Sequence, residues 1–227
     1  MTITARIHHV QQTILALEAT HHRAPGSVQL VAVTKGRTVH ELREAMHAGV
    51  CHFAENYYQE ALPKIHAFTS HPLCWHFIGP IQRNKTTGIA THFDWVHSLC
   101  RMDIAERLNH ARPAAASPLH VCIQINIDHE PTKAGLLPDE VLNMARTLLT
   151  LPRLCLRGLM VIPKPSQITT DRYASFLKIS HLLSQINQTL GTHLDTLSMG
   201  MSDDLDEAIH AGSTLVRVGR GLFGERP

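Results

Sequence analysis

Lys35 is the residue of this sequence whose setting most suggests chemistry. It directly follows Val31-Ala32-Val33-Thr34, so its stem emerges from the end of an apolar run. Burial lowers a lysine pKa and favours the neutral amine that attacks a carbonyl, whereas a strand-end lysine that snorkels to solvent is the plainer reading. A second group lies far downstream. Ser198-Met199-Gly200-Met201-Ser202 offers two hydroxyls, a glycine permitting close backbone approach, and a serine suited to open a helix. Gly219-Arg220-Gly221 adds two glycines and a cation, three residues after the basic Arg217. Unpaired backbone N–H groups at glycine turns and helix starts receive anions, phosphate above all. Each segment alone is also an ordinary serine cap or glycine turn, and Asp203 and Asp204 repel an anion unless they point away.

These groups need a scaffold that brings residue 35 to residues 198–221. Eight short apolar, β-branched runs recur: Val28–Thr34, Cys51–Ala54, Trp75–Gly79, Trp95–Leu99, His120–Ile127, Leu154–Ile162, Leu194–Met199 and Thr214–Val218. Runs without strict polar alternation suit strands covered on both faces, as in parallel sheets. Helical segments separate them. Thr38 and Glu41 form a T-x-x-E capping box before Leu42, Ala45 and Met46, and Gly49 ends that helix. Asp139–Leu149 and Asp171–Leu190 carry apolar residues at helical spacing, and Ser202 is expected to open a helix that stops at Gly212. Ahead of the first strand, Ile3, Ile7, Val10, Ile14 and Leu17 put one apolar stripe on an extra N-terminal helix. Eight strand–helix alternations without a linker predict one α/β domain over residues 1–227, a single (β/α)8 TIM barrel. An open doubly wound sheet is the alternative, but no G-x-G-x-x-G follows the first strand.

In such a barrel the active rim lies at the C-terminal ends of the strands, and phosphate commonly sits on the loops after strands seven and eight. Lys35, Asn56, the 198–202 segment and the 217–221 segment all fall on that rim. A candidate Schiff-base lysine beside a phosphate cradle suits pyridoxal 5′-phosphate, which carries one aldehyde and one phosphate. Arg217 then faces the pyridine nitrogen, where a permanent cation keeps that nitrogen unprotonated and weakens the ring as an electron sink; a salt-bridged strand-end arginine is the alternative.

Composition removes other classes. The 227 residues carry 21 Lys and Arg against 19 Asp and Glu, a net charge of +2, so no cationic surface for nucleic acid is expected. The apolar stretches are far shorter than a bilayer span, and the first dozen residues lack a signal-peptide core, so a cytoplasmic protein is expected. The five cysteines (51, 74, 100, 122 and 155) form no C-x-x-C and read as reduced core residues. The 18 histidines include no pair at i, i+4 and no cluster with cysteine at zinc-ligand spacing, so no metal site is expected.

The stretches V-A-V-T-K (31–35), F-A-E-N-Y-Y-Q-E (53–60), W-H-F-I-G-P-I-Q-R-N-K (75–85), F-D-W-V-H-S-L (93–99), L-R-G-L-M-V-I-P (156–163), L-S-M-G-M-S-D-D (197–204) and A-G-S-T-L-V-R-V-G-R-G-L-F-G (211–224) resemble the pyridoxal phosphate homeostasis protein family. The resemblance covers nearly the whole chain. It implies the barrel of the N-terminal domain of alanine racemase and a cofactor held as an aldimine on Lys35. It also implies Arg217 at the pyridine nitrogen, Asn56 beside the ring, and phosphate contacts from Ser198, Met201, Ser202, Gly219 and Arg220, with Gly200 allowing close approach. Four departures from the family pattern stand out: Thr34 replaces the usual serine, Ala54 a glycine, Arg220 what is often a small hydroxyl residue, and the Gly36-Arg37-Thr38 segment lacks the proline common there. Ala54 costs little if its φ is negative.

The leading expectation is a non-catalytic carrier that stores pyridoxal phosphate and passes it to dependent apo-enzymes, working as a monomer. Its basis is that a racemase of this fold draws a second acid/base residue from a further domain, which is not expected here. A weak amino-acid racemase is the alternative, with His76 and Tyr57 as candidate second bases. A phosphosugar aldolase or isomerase using the lysine without a cofactor is the third.

Overall fold

The structure is a computed structural model and describes residues 1–130, 132–164 and 166–225. The elements follow in the order α1 Ile3–Thr20, β1 Gln29–Val33, α2 Val39–His47, β2 His52–Glu55, α3 Tyr58–Ala67, β3 Cys74–Phe77, α4 Thr86–His92, β4 Trp95–Leu99, α5 Met102–Ala111, β5 Leu119–Ile125, α6 Val141–Leu148, β6 Leu154–Val161, α7 Thr169–Leu190, β7 Thr196–Ser198, α8 Leu205–His210, β8 Leu215–Val218 and α9 Arg220–Phe223. All strand pairs are parallel, and β8 returns to β1 to close an eight-stranded barrel. The expected (β/α)8 barrel with its extra N-terminal helix is therefore the architecture.

Local chemistry explains the boundaries. Thr38 Oγ1 accepts from Glu41 N at 3.3 Å while Thr38 N donates to the Glu41 carboxylate at 2.7 Å, the reciprocal capping box that starts α2. The stripe of α1 buries Ile7, Val10 and Ile14 against the barrel. Glu18, on the same helix, is fully buried, because its carboxylate accepts from Gly26 N (2.8 Å) and Val28 N (2.7 Å) and so ties α1 to the entry of β1.

Two departures concern helix starts and strand ends. Strand β3 stops at Phe77 rather than Gly79; a Cβ on Gly79 would lie 1.9 Å from the Asn56 carbonyl, so the chains there meet backbone to backbone. Helix α8 starts at Leu205 with Asp204 at its N-cap, not at Ser202. The Asp204 carboxylate folds back to accept from Met201 N at 2.5 Å, which closes a turn over residues 201–204 and delays the helix. Ser202 Oγ instead accepts from Gly221 N at 3.2 Å.

The main core lies between the barrel and its helices, with Phe53, Phe77, Phe93 and Phe176 among its largest buried side chains. A small second cluster, Val31, Ala54 and Leu215 with Trp95, fills part of the lumen. Strand alternation puts His52 and Ala54, Cys74 and His76, Trp95 and His97, and Leu215 and Arg217 on the inward faces of their strands. A lumen carrying imidazoles and a guanidinium is unusual, since barrel interiors are dominated by branched aliphatics.

The seam between β6 and β7 depends on one close approach. Gly158 pairs with Thr196, and a Cβ there would lie 1.8 Å from the Thr196 carbonyl oxygen. Gly158→Ala is expected to cost about 3 kcal/mol, because the obstructing atom is backbone and cannot rotate away. Urea denaturation of the two proteins checks this; a loss under 1 kcal/mol would show that the seam yields freely.

Candidate functional site

The rim at the C-terminal ends of the strands opens into a cavity of about 500 Å³ lined by Val33, Lys35, Arg37, Met201 to Asp203, Arg217, Gly219, Arg220, Gly224 and Glu225. Six of the nine residues singled out from sequence stand on its wall: Lys35, Met201, Ser202, Arg217, Gly219 and Arg220. Ser198 and Gly200 lie buried behind it, and Asn56 is half-buried at the end of β2.

Lys35 is half-buried and is followed by Gly36 at φ +72°, a left-handed turn that only glycine adopts readily. The turn is held by Gly36 N donating to Glu60 Oε1. Beneath it, Lys64 Nζ donates to the Thr34 carbonyl (2.7 Å), Glu55 Oε1 (2.6 Å) and Glu60 Oε1 (2.7 Å), while the Thr34 hydroxyl donates to Glu55 Oε1 at 2.6 Å. Thr34 thus supplies the hydroxyl that the usual serine would. Burial pushes the Glu55 carboxyl above the ordinary carboxylate range, against the pull of Lys64 and Thr34. Ala54 causes no strain, since the non-glycine residues of positive φ are His22 and His129.

The glycine-rich wall after β7 and β8 is built from close backbone. Gly200 sits at φ +96° with a carbonyl that accepts from Arg217 N at 3.0 Å, and its missing Cβ makes room for Ala208. A Cβ on Gly221 would meet Ser202 Oγ at 3.2 Å and Val218 at 3.0 Å. Ser202 accepts from Gly221 N and retains its own proton for donation. Arg220 forms an ion pair with Asp203 at the mouth, so the acid that repels an anion is matched by the cation that attracts one.

Arg217 is buried in the barrel, with Nη1 donating to Ser198 Oγ at 2.6 Å and Nη2 to the Val161 carbonyl at 3.0 Å. The salt-bridge alternative is not what is seen: no ion pair to Arg217 occurs among the described residues. Burial lowers its pKa to about 10, so it remains charged at neutral pH. From Ser198 a chain of hydrogen bonds runs down the lumen: Ser198 Oγ to His97 Nδ1 at 2.6 Å, His97 Nε2 to His76 Nδ1 at 2.9 Å, and His76 Nε2 to His52 Nδ1 at 2.9 Å. Arg217 can only donate, so Ser198 accepts from it and gives its own proton to His97 Nδ1. The order then propagates, with each imidazole protonated on Nε2. Burial and the Arg217 charge lower the His97 pKa to about 3, and burial with the neighbouring imidazoles holds His76 well below its ordinary value. His97 and the chain were missed in the sequence because His97 sits inside an apolar run; its offset of two from Trp95, which puts both on one face, was the available signal. Arg37 was missed too. It is buried, its Nη2 donates to the Gly224 and Glu225 carbonyls, and it lies 5.6 Å over the Phe223 ring, fixing the chain after α9 beside the Lys35 turn.

The alternative second bases lie apart from this wall. His76 is fully buried within the chain, and Tyr57 is largely exposed.

The family described as alanine racemase, N-terminal domain, matches residues 9–227. The pyridoxal phosphate homeostasis protein of Pasteurella multocida is 45% identical over 100% of this chain and 98% of its own length. That of Pseudomonas aeruginosa is 48% identical over 99% of this chain and 96% of its own. The chain belongs to the pyridoxal phosphate homeostasis protein family. Among solved structures, PipY of Synechococcus elongatus with PLP bound superposes with a TM-score of 0.84 at 34% identity, covering 98% of this chain and all of that one. Alanine racemase of Bacillus anthracis, at 15% identity and a TM-score of 0.70, matches over 97% of this chain and 57% of its own and shares the fold alone.

The neutral histidines make stability fall in acid. The unfolded chain protonates His97 near its ordinary 6.5 while the folded chain resists until about 3, so stability is lost as pH falls below 6.5 and the loss is complete near 3. His97 alone accounts for about 5 kcal/mol at most. Denaturation at pH 7.5 and 4.5 should show a clearly smaller acid loss for His97→Gln than for the wild type; equal losses would mean that His97 is not held neutral.

Proposed function

We propose that residues 1–227 form one domain that binds pyridoxal 5′-phosphate, holds it covalently on Lys35, and keeps it in a chemically quiet form for transfer to apo-enzymes in the cytoplasm. The observation that carries this reading is a single cavity whose wall combines a lysine, a glycine-rich rim and a buried arginine. The names of its pyridoxal phosphate homeostasis relatives, and PLP in PipY, support it. Among the described residues no helix is long and apolar enough to cross a membrane.

Pyridoxal phosphate supplies an aldehyde for lysine and a conjugated ring that can delocalise electrons. The residues here act on it as follows. Lys35 Nζ offers the amine. Ser202, the backbone at Gly219 and Arg220, and the Arg220 guanidinium would receive the phosphate, with Met201 N–H joining them where it leaves Asp204, and Gly200 and Ser198 shaping the turn behind them. Asn56, whose buried Oδ1 has no hydrogen-bond partner among the described residues, offers a polar contact to the ring edge. Arg217, pinned by Ser198 and Val161, presents a fixed cation that donates to the pyridine nitrogen and gives it no proton. That choice of partner favours storage over catalysis. The reading takes the protein to be a monomer, with weak racemase activity as the second reading.

Lys35→Ala should abolish the near-visible absorption band and weaken cofactor retention by at least about tenfold, with residual binding from the phosphate contacts. Borohydride reduction and peptide mapping of the wild type should mark the peptide containing Lys35. Unchanged retention in the variant would remove Lys35 as the anchor. Sustained Lys35-dependent racemisation of alanine would replace the carrier by the enzyme.

A further inference from the structure

The floor of the barrel, opposite the rim that carries Lys35, holds a second set of donor atoms. Strand register pairs His52 of β2 with Cys74 of β3, and His76 follows two residues later on the same inward face. Cys74 Sγ and one nitrogen of each imidazole all lie within 4.8 Å of one another. His52 Nδ1 and His76 Nε2 are 2.9 Å apart. Two nitrogens on one tetrahedral zinc ion sit about 3.3 Å apart, given bonds of about 2.0–2.1 Å, so the histidines need only a small opening. Access exists as well. His52 lines a cavity of about 330 Å³ bounded by Gln11, Gln29, Leu30, Val50 and Cys51, at the end where β1 and β2 begin.

We propose that His52 Nδ1, Cys74 Sγ and His76 Nε2 bind a thiophilic divalent cation of the Zn2+ class, with the fourth position open to water or a further donor from the cavity. One thiolate and two imidazoles select zinc over magnesium or calcium, which require oxygen ligands. The proposal is independent of the cofactor at the opposite rim. Burial and the Asp94 charge push the Cys74 thiol up to about 12, so the free protein holds the thiol protonated and the ion must displace that proton to solvent. The imidazole chain meanwhile turns round. His76 moves its proton from Nε2 to Nδ1 and donates it to His97 Nε2. His97 then donates from Nδ1 to Ser198 Oγ, whose two lone pairs take Arg217 and His97 while its own O–H, kept on the oxygen, rotates away from His97. The number of protons on the chain is unchanged, and His76 gains the oriented outer partner that metal-bound histidines have.

Zn2+ calorimetry and Co2+ absorption on the full chain, without added cofactor, test this. One equivalent should bind, and cobalt should give a thiolate charge-transfer band together with the strong visible bands of a tetrahedral site. Cys74→Ser should erase the charge-transfer band and weaken zinc by at least about tenfold, His52→Gln should weaken it similarly, and Cys51→Ser should leave both intact. In the wild type, saturating Zn2+ should protect Cys74 from alkylation in peptide mapping, a readout that needs no folded variant. The proposal falls if the wild type shows no thiolate band, if the band follows Cys51, if zinc binds only at several histidine sites, or if Cys74 stays open to alkylation.

Discussion

Arg217 carries a full positive charge inside a β-barrel, without an ion pair among the described residues. An isolated buried charge costs several kcal/mol, and here the cost is offset by two directed hydrogen bonds to oxygen and by neighbours that stay neutral. Ser198 turns an acceptor toward Arg217, and without a metal on the barrel floor its proton goes to His97. His97 must then be neutral and protonated on its far nitrogen, and so must the next ring. The polar lumen follows from that requirement. Layers of valine and leucine would leave both the guanidinium and Ser198 without partners, whereas a neutral imidazole accepts on one nitrogen and donates from the other. A chain of histidines therefore carries hydrogen-bonding capacity from the rim to the floor without adding charge beside Arg217.

The rim depends on the same economy of backbone. Lys35 stands on a turn fixed by left-handed Gly36 and braced from below by the Glu55–Lys64–Glu60 network. The opposite wall is drawn together by Ser202 on Gly221, by Asp204 on Met201 and by Arg37 on the carbonyls of Gly224 and Glu225. The Arg37 contacts join positions 187 and 188 residues apart and tie the two walls together, so the site exists only once the barrel closes.

That dependence explains what was legible in the sequence. Parallel strands announce themselves as apolar runs, and the capping box at Thr38 and the stripe from Ile3 to Leu17 are local patterns, so the (β/α)8 order could be read directly. The rim could be read as well, because residues that close successive strands of a barrel share one end. What could not be read were relations across strands. His52 and Cys74 are 22 positions apart yet face each other through strand register, and a search for ligand spacing within one segment passes over them. The start of α8 was misplaced because Ser202 and Asp204 are both good helix openers. The choice between them was made by Met201 N, in the loop after β7, and Gly221 N, in α9.

Under the proposed function the guanidinium that organises the lumen also sets the character of the site. Burial pulls Arg217 down only to about 10, so near neutral pH it remains a donor and has no proton to yield to a ring nitrogen. A carboxylate in its place would accept a proton shared with the pyridine and strengthen the electron sink that racemases and decarboxylases exploit. With arginine there, the ring loses acidity at its far end while Lys35 and the phosphate cradle still retain the molecule. Retention and activation are thus separated by one residue, and its rigidity matters as much as its charge. Hydrogen bonds to Ser198 and Val161 fix the Arg217 guanidinium, so under the proposed function the restraint on reactivity is built into the barrel wall.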